Sequence, residues 1–364
     1  MPAIQIIGDG CAGLSLAARA RELPDHQLTL IVPEGAPRQQ EHIWGFWHLP
    51  ILNTAAGLSH CSWKNWQVVT NEKTVVLTSI NYPYHAIYRS RWTSMCKELA
   101  IAHGVKIVSQ SKVASDQKAQ ILDTRPQPVP HGQLMQHFIG WEVLAKSGSF
   151  NPSVATMMDF RCDQSRGIHF IYVLPFSDSE ALVESTMFSC DREPDEFFEK
   201  AILDYLKLCH SKQVVSVKRT EKGAIPMGLL ERSDVSVVGL GGNGGAIKPS
   251  SGYAFYFIQK QISVAILSAQ TKNKLMKITS PHKNIDLWMD QMFVKVLKEW
   301  PAVTPHIFIQ LADALSGDEF ALFMSGEACW RLRLKVIFSM PKWIFIRSFI
   351  QSLYSNFLKF KIGA

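Results

Sequence analysis

The sequence predicts an α/β protein in which a Rossmann-like domain is intertwined with a mixed-sheet domain and is followed by a helical C-terminal region. A β-α-β pattern opens the chain within about 30 residues. Strands and one long helix mix in the middle, and the pattern is mostly helical from Phe255 onward. No Gly/Ser-rich linker marks a clean boundary, so we expect the segments of the two domains to alternate along the chain.

The β-α-β pattern rests on three segments near the N-terminus. Ile4 to Ile7 and Leu28 to Val32 are short apolar runs that are typical of buried strands. Between them, Ala12 to Glu22 has the composition and spacing of a helix. These segments predict two neighbouring parallel strands joined by a crossover helix.

Alternating apolar and polar residues predict a sheet in the middle of the chain, which suits a substrate domain. A later apolar strand, Asp234 to Leu240, ends in a glycine cluster. The predicted middle elements are strands over Thr74 to Leu77, His169 to Leu174 and Leu182 to Phe188, and a helix over Asp195 to Leu208.

Charge and composition favour a membrane surface over nucleic acid as a partner. The net charge is +7, but Lys and Arg are scattered and no nucleic-acid module is present. The segment Arg331 to Lys361 instead combines basic and aromatic residues, as in helices that lie on anionic lipid. A helix that caps the protein core would fit the same pattern. These residues are Arg331, Arg333, Lys335, Lys342, Arg347, Lys359 and Lys361, with Trp343, Phe345, Phe349, Tyr354 and Phe357.

The chain gives no sign of a metal centre or of export. Its seven cysteines are odd in number and widely spaced, without a C-x-x-C pair, which argues against a zinc site or a disulfide framework. Met1 and Pro2 precede the first strand without a signal-peptide pattern. No apolar run reaches the roughly 20 residues that a spanning helix needs. We therefore expect a cytoplasmic protein, bound peripherally to the inner face of the membrane.

Gly8, Gly10 and Gly13 form a G-x-G-x-x-G motif between the first strand and its helix. This spacing allows a tight turn and a close approach of a pyrophosphate to the helix N-terminus. A plain glycine turn is the alternative. An acidic residue usually binds the ribose at the end of the second strand. Pro33 stands at that position, so Glu34 is the predicted ribose ligand, displaced by one residue.

A second glycine-rich segment, Gly239 to Gly252, follows the strand that ends near Leu240. Glycine backbone followed by a helix can approach a flavin ring or phosphates closely. A surface loop would show the same composition. The residues that we predict to bind the cofactor here are Gly241, Gly244, Gly245, Pro249 and Gly252.

Short motifs along most of the chain, in the same order, resemble those of the flavin-dependent lycopene cyclases, especially the bacterial β-cyclases. Two positions depart from the family pattern: Glu41 replaces an asparagine, and Ser185 replaces a second acid. The matching segments are Glu41–Phe46, Ile121–Pro126, Gln136–Glu142, Met158–Asp159, Asp163–Gln164, Phe170–Pro175, Leu182–Thr186, Gly223–Met227, Pro249–Tyr253 and Phe338–Pro341.

The resemblance implies a lycopene β-cyclase that converts the ψ end groups of lycopene to β-ionone rings, through γ-carotene to β-carotene. The reaction begins with protonation of a terminal alkene and involves no net oxidation. The resemblance also implies reduced FAD as cofactor and NAD(P)H as its reductant. We then expect FAD-binding segments at residues 1–70 and 221–270. A mainly substrate-binding sheet domain, with returns to the FAD domain, is expected at 71–220, and a helical region that associates with membranes at 271–364.

A buried carboxyl group is the expected proton donor, because desolvation raises its pKa and keeps it protonated at neutral pH. Glu184 lies among apolar residues, and the family motif supports it. A solvent-facing strand glutamate is the alternative. Asp159 and Glu142 are the other predicted catalytic residues. Arg161 could pair with Asp159, and Glu142 could instead orient its neighbours.

Two other functions fit parts of the same pattern. A flavin monooxygenase or prenyl-chain reductase would share the glycine motif and an apolar pocket, but would consume reducing equivalents stoichiometrically. A non-catalytic flavin- or carotenoid-binding protein would fit the departures at Pro33 and Ser185. Aromatic side chains could line a carotenoid tunnel or form ordinary core; these are Trp44, Phe46, Trp47, Phe138, Phe170 and Tyr172.

Overall fold

The structure, a computed structural model, describes residues 1–35, 40–112, 119–210, 214–230, 237–271 and 275–351. The start of the predicted strand, Asp234 to Ser236, lies outside the described residues. So do Tyr354, Phe357, Lys359 and Lys361 of the basic aromatic segment.

Strands and helices are numbered separately in chain order. The strands are β1 (Ala3–Ile7), β2 (Gln27–Val32), β3 (Ile43–Trp47), β4 (Cys61–Trp63), β5 (Asn65–Val69), β6 (Thr74–Thr78), β7 (Tyr84–Tyr88), β8 (Lys106–Ser109), β9 (Gln120–Asp123), β10 (Met135–Ala145), β11 (Val154–Asp159), β12 (Ile168–Pro175), β13 (Glu180–Ser189), β14 (Val214–Pro226) and β15 (Val238–Gly239). The α-helices are α1 (Cys11–Ala18), α2 (Asn53–Gly57), α3 (Arg89–Ala102), α4 (Asp195–His210), α5 (Phe255–Thr271), α6 (Asn284–Glu299), α7 (Thr304–Ala314), α8 (Gly317–Met324) and α9 (Trp330–Ser339).

The chain divides into two compact units, and each unit is built from three separate segments. Unit 1 comprises Met1–Cys61, His85–Pro130 and Leu229–Lys283, and unit 2 comprises Ser62–Tyr84, His131–Gly228 and Asn284–Ala364. The segments alternate along the chain, as the absence of a linker indicated. The predicted α/β class, with intertwined domains and a helical C-terminal region, is confirmed. Which segments bind cofactor and which bind substrate stays a prediction.

Unit 1 contains a five-stranded parallel sheet with the order β15-β9-β1-β2-β8. Helices α1, α3 and α5 pack around a shared buried residue, Ser15 on α1. Its Oγ accepts hydrogen bonds from Trp92 Nε1 on α3 and from Gln259 Nε2 on α5, each at 2.9 Å. Because a buried hydroxyl needs partners, these bonds fix the three helices relative to one another.

Helix α1 is shorter than the predicted Ala12 to Glu22. It ends at Ala18, where its continuously buried run ends, and Ala20–Glu22 forms a separate 3-10 turn. Pro24 disfavours helical geometry at the residue before it, so the helix cannot continue toward β2. The crossover itself is present as predicted, with β1 and β2 pairing in parallel.

Unit 2 contains a seven-stranded mixed sheet with the order β14-β10-β13-β12-β11-β5-β6, in which the β11–β5 pair is parallel. Helix α4 covers one face of this sheet. Apolar residues of β10 and β13, including Ile139, Val143 and Val183, form a core there with Phe198 and Ile202 of α4. Side chains alternate along a strand, so residues such as Glu184 project from the opposite face.

The C-terminal helices belong to unit 2. Arg333 on α9 and Asp286 on α6 form a buried bidentate ion pair, with Nε–Oδ1 at 2.7 Å and Nη2–Oδ2 at 2.9 Å. The chain is helical again over 342–351. In the described part of the chain, no helix is both long enough and apolar enough to span a membrane.

A third sheet has the order β3-β7-β4.

Candidate functional site

The first glycine motif of unit 1 lies at the carboxyl end of β1, where parallel sheets place their ligands. Gly8 has φ +110, and a Cβ at Gly13 would lie 1.9 Å from the Gly8 carbonyl oxygen. Both glycines are therefore required by the protein's own packing. Gly10 is different, since a Cβ there would meet nothing within 4 Å and its φ of −81 suits any residue.

The start of α1 offers backbone donors beside this space. Gly10 is its N-cap, no side chain caps the helix, and its first turn contains no acidic residue. The first N–H groups of a helix lack intrahelical acceptors, and the helix dipole is positive at this end. A phosphate group fits such a position, and the absence of a side chain at Gly10 leaves room for it.

Glu34 lies directly after β2, but its carboxylate already has a partner. Its Oε1 accepts hydrogen bonds from the hydroxyl and from the backbone N–H of Ser111. These bonds lower the pKa of this exposed carboxyl. Whether Glu34 also binds a ribose stays a prediction.

The second glycine loop packs directly on the first turn of α1. A Cβ at Gly241 would lie 2.4 Å from the Ala12 Cβ, and Gly241 has φ +69. A Cβ at Gly244 would lie 2.7 Å from the Gly239 carbonyl oxygen. Gly245, like Gly10, faces space without protein atoms within 4 Å, with φ +74. The structure thus brings the two glycine motifs together.

Pro249 and Gly252 lie in the turn that leads into α5. The Gly252 N–H donates to the Lys248 carbonyl at 2.9 Å, and the Lys248 N–H donates to the Tyr253 carbonyl at 2.8 Å. Gly252 has φ +72, which explains a glycine at this position. The turn ends two residues before the first residue of α5, Phe255.

Glu41, which departs from the family pattern, has a structural role in unit 1. Its Oε1 accepts a hydrogen bond from the Ser90 N–H at 3.0 Å in the first turn of α3. A carboxylate near a helix N-terminus is stabilised by the helix dipole.

The three unit 1 aromatics from the predicted tunnel pack on residues at or just before the start of α5. Trp44 and Phe46 contact Phe255, with ring centroids 5.5 and 5.3 Å apart. Trp47 contacts Tyr253 at 5.1 Å.

The predicted acid Glu184 lies in the centre of β13 in unit 2. It is opposite Gly140 of β10 on one side and Tyr172 of β12 on the other. Phe138 and Phe170 point from the same face, because each is opposite Thr186. This face therefore combines the Glu184 carboxyl with three of the predicted aromatic residues.

Burial keeps Glu184 protonated at neutral pH. Its side chain is 8% exposed, and desolvation raises its pKa to about 8, with a further increase from the negative charge of Glu221. The Thr186 hydroxyl donates to Glu184 Oε1 at 2.6 Å, and this hydrogen bond lowers the pKa of Glu184. Glu184 is therefore a buried residue and not a solvent-facing strand glutamate.

Glu142 lies on the same face as Glu184, opposite Leu182 of β13 and Arg219 of β14. Arg219 links two carboxylates, with Nε 3.2 Å from Glu142 Oε2 and Nη1 3.0 Å from Glu221 Oε2. Glu221 is 2% exposed. Neither Arg219 nor Glu221 was predicted as a site residue, because only the β14–β10–β13 pairing brings them beside Glu184.

Asp159 lies on the other face of the sheet. It pairs with Ile171, whose side chain belongs to the core beneath α4. Arg161 holds its carboxylate in a bidentate ion pair, with Nε–Oδ1 at 2.9 Å and Nη2–Oδ2 at 2.7 Å. The structure thus brings Glu142 and Glu184 together but not Asp159, whose catalytic role stays a prediction.

Ser185, the position of the missing second acid, also faces α4. Its Oγ lies 2.8 Å from Nε2 of His169, in a fully buried setting. An acid at this position would point away from Glu184, because neighbouring strand residues project from opposite faces. The departure at Ser185 therefore leaves the Glu184 face of this chain unchanged.

The fold and site define an α/β protein with a dinucleotide-type glycine loop in one unit and a buried acid on an aromatic sheet face in the other. The family model for lycopene cyclase protein matches residues 3–346. The chain therefore belongs to the lycopene cyclase family. It is also 24% identical to a lycopene beta-cyclase of Pantoea ananas, over 92% of this chain and 94% of that protein. Together these matches indicate an enzyme of carotenoid biosynthesis.

Solved structures of low sequence identity share the fold. A geranylgeranyl bacteriochlorophyll reductase-like protein from Thermoplasma acidophilum aligns with TM-score 0.59 and 13% identity, covering 95% of this chain and 98% of the other. A mutant of 2-methyl-3-hydroxypyridine-5-carboxylic acid oxygenase gives 0.56 and 14%, covering 89% and 96%. A flavin-dependent halogenase from Xanthomonas campestris gives 0.52 and 11%, covering 92% and 82%.

Proposed function

We propose that the protein is a lycopene β-cyclase in which Glu184 donates the proton that starts ring closure. The observation that carries this proposal is a buried carboxyl with a pKa of about 8 on a face that also holds Phe138, Phe170 and Tyr172. An acid that remains protonated in an apolar setting is what protonation of a neutral alkene requires.

The proposed reaction conserves atoms and electrons. The Glu184 carboxyl transfers its proton to the terminal alkene of a ψ end group, which leaves a tertiary carbocation on the polyene. A neighbouring double bond attacks this cation, and the new C–C bond closes the ring. Loss of a proton from an adjacent carbon then forms the β-ring double bond, and return of that proton to the Glu184 carboxylate would regenerate the acid.

The environment of Glu184 suits both the donation of the proton and the stabilisation of the carbocation that this donation forms. Thr186 donates to Oε1, so we assign the transferred proton to Oε2. Aromatic rings can stabilise a nearby cation through their negative faces, and Phe138, Phe170 and Tyr172 are the candidates on this face. We propose that the ion pair between Glu142 and Arg219 keeps the charged side chains of this face in position. Asp159, held by Arg161 on the opposite face, is the weakest of the three proposed catalytic residues.

We propose that unit 1 binds FAD through both glycine motifs. The fit rests on Gly10 and Gly245, where a Cβ would meet no protein atom within 4 Å, and on the uncapped start of α1. When bound in its reduced form, with NAD(P)H as reductant, the flavin supplies negative charge that stabilises a carbocation. The residues proposed to hold it are Gly8, Gly10, Gly13, Glu34, Gly241, Gly244, Gly245, Pro249 and Gly252.

We also propose that unit 2 binds the inner face of the cytoplasmic membrane, where a water-insoluble polyene would be found. Helix α9 buries Leu332 and Val336, but α9 and the helical residues 342–350 also expose apolar side chains, which together form an apolar stripe. Basic residues accompany this stripe, as anionic lipid would require. The exposed apolar side chains are Trp330, Leu334, Ile337, Phe338, Trp343, Ile346, Phe349 and Ile350, and the exposed basic ones are Arg331, Lys335, Lys342 and Arg347.

A substitution at Glu184 tests the proposed reaction. Purified protein would be incubated with FAD, NAD(P)H and lycopene in liposomes, and the carotenoids separated by chromatography. We expect the wild type to form γ-carotene and β-carotene without stoichiometric NAD(P)H consumption. Glu184→Gln should retain FAD and lose at least 100-fold in rate, the usual scale for a general acid. Glu180→Gln, on the same strand but half-exposed, is the matched control. Unchanged product formation by Glu184→Gln would exclude its role.

A further inference from the structure

Gly140 creates a gap in the Glu184 face of the unit 2 sheet. It pairs with Glu184 of β13 on one side and with Glu221 of β14 on the other. A Cβ at Gly140 would lie 3.4 Å from the Glu184 Cβ, 3.2 Å from the Glu221 Cγ and 3.1 Å from the Leu182 Cδ1. The two glutamate side chains therefore lie close to the space that a side chain at position 140 would occupy.

The carboxyl groups around this gap differ in their partners. The ionisable groups of the neighbouring strands on this face are Glu142 of β10, Arg219 and Glu221 of β14, and Tyr172 of β12. Arg219 is paired with Glu142 and with Glu221. Among the described residues, no Lys, Arg or His side chain is paired with Glu184, which has the Thr186 hydroxyl as its hydrogen-bond donor.

Arg219 thus pairs with two of the three carboxyl groups on this face, Glu142 and Glu221. Ionisation of Glu184 would add a negative charge beside the Glu221 carboxylate in a region of low dielectric, which is strongly unfavourable. A proton bound at this pair of carboxyl groups removes that charge. The group without a counter-ion is the one that takes it, as in other pairs of carboxyl groups that share a site.

From this geometry we infer that Glu221 is a positioning residue for the acid: its carboxylate, held by Arg219 across the gap at Gly140, keeps the shared proton on Glu184. The negative charge of Glu221 acts in the same direction as desolvation of Glu184. Glu221 forms an ion pair with Arg219, so we assign its effect to the protonation of Glu184. The catalytic consequence rests on the proposed cyclase function, whereas the carboxyl pair does not.

Infrared titration of the holoenzyme tests the pair without any substrate. Protonated carboxyl groups absorb separately from carboxylates, and the band absent from Glu184→Gln belongs to Glu184. We expect this band to disappear in the wild type with a midpoint near pH 8. In Glu221→Gln the midpoint should fall by about one pH unit or more, because a like charge has been removed. Glu180→Gln should leave the midpoint unchanged.

A second variant protects the test against a folding failure of Glu221→Gln. Gly140→Ala keeps both carboxyl groups but forces neighbours at 3.1–3.4 Å to move apart, so the midpoint should again fall. In both variants, the alkaline limb of the cyclisation rate should shift to lower pH by the same amount as the infrared midpoint. At a pH above the limb, the rate of each variant should therefore be about tenfold below that of the wild type. A midpoint that stays at the wild-type value in the folded variants would overturn the inference. An infrared shift in a protein without cyclase activity would instead refute the proposed function and leave the pair intact.

Discussion

Thr186 donates its hydroxyl hydrogen to Oε1 of Glu184 across 2.6 Å, from two residues further along the same strand. The bond favours the ionised carboxylate and so lowers the pKa of Glu184, against the larger effect of burial. Thr186 therefore limits how weak this acid becomes. An acid with an even higher pKa would be protonated over a wider pH range but would release its proton less readily to an alkene.

Thr186→Val should consequently raise the pKa of Glu184. Valine has nearly the shape of threonine, so the main change is loss of the hydrogen bond. We expect the alkaline limb of the cyclisation rate to move up by about 0.5–1 pH unit, and the maximal rate to fall. Steady-state rates between pH 6 and 10 measure this shift. Thr220→Val, an exposed threonine of β14 opposite Trp141 on the other face, is the control. A limb that moves downward would contradict the assigned hydrogen bond.

The raised pKa of Glu184 also predicts a stability penalty. The folded protein retains this proton up to about pH 8, whereas the unfolded chain loses it near the ordinary value of 4.5. Stability is therefore unaffected by this group below pH 4.5 and falls as the pH rises between 4.5 and 8. Glu184→Gln removes this dependence. We expect the variant to be more stable than the wild type by about 3 kcal/mol at pH 7, and nearly equal to it at pH 4.

Urea unfolding of the apoprotein at both pH values provides the comparison. Glu180→Gln, at a half-exposed position of the same strand, is the comparison variant. If Glu184→Gln were equally or less stable than the wild type at pH 7, Glu184 would not be a desolvated, protonated acid. Increased stability combined with loss of activity is the pattern expected of a group that serves catalysis at the expense of folding.

Gly10 should be needed by the cofactor and not by the fold. Gly10→Val places a side chain where no protein atom lies within 4 Å, so we expect folding to be retained and FAD content to fall at least tenfold. Gly57→Val is the matched control, because Gly57 at the end of α2 also meets nothing within 4 Å. FAD content is measured by absorbance after purification, and folding by circular dichroism. Full FAD content in Gly10→Val would argue against the glycine motif as the binding site.

Local patterns in the sequence predicted the elements whose structure is set locally. The opening strands β1 and β2 and helix α4 agree with the predicted ranges within about two residues at each end. Glu184 could be identified because its apolar neighbours lie beside it in the sequence. The predicted helix extended to Glu22, beyond the observed end of α1 at Ala18, because composition alone does not show which residues are buried.

The surroundings of Glu184 depend on strand pairing, which a single sequence does not encode locally. Glu221 and Arg219 come near Glu184 only through β10, which was identified as a motif and not as a strand. Pairing also decides the faces of Asp159 and Ser185, since a shift of one residue exchanges the two faces. The alternation of Arg219, Glu221 and Gly223 along β14 was the one signal in the sequence that could have pointed to this face.

The exposed stripe of α9 should be required for membrane binding without being required for folding. Trp330 is 63% exposed and Phe338 is 66% exposed, while Leu332 and Val336 form the buried side of the helix. The core-capping interpretation and the lipid interpretation thus apply to different sides of the same helix. Truncation after Pro341 would not separate them, because Ser348 beyond that point is buried and donates to Glu299 at 2.7 Å.

Substitution of the exposed side chains separates the two roles. Trp330→Ser combined with Phe338→Ser removes two rings that are mostly exposed to solvent and that otherwise contact Arg333 and Lys342. We therefore expect the unfolding midpoint to change little. Binding to vesicles that contain anionic lipid should fall at least tenfold, since each large apolar side chain contributes about 1.5–3 kcal/mol on burial. Ile80→Ser, at a position that is 73% exposed elsewhere in unit 2, is the control. Flotation of the vesicles measures binding, and undiminished flotation of the double variant would show that this stripe is not the lipid-binding surface.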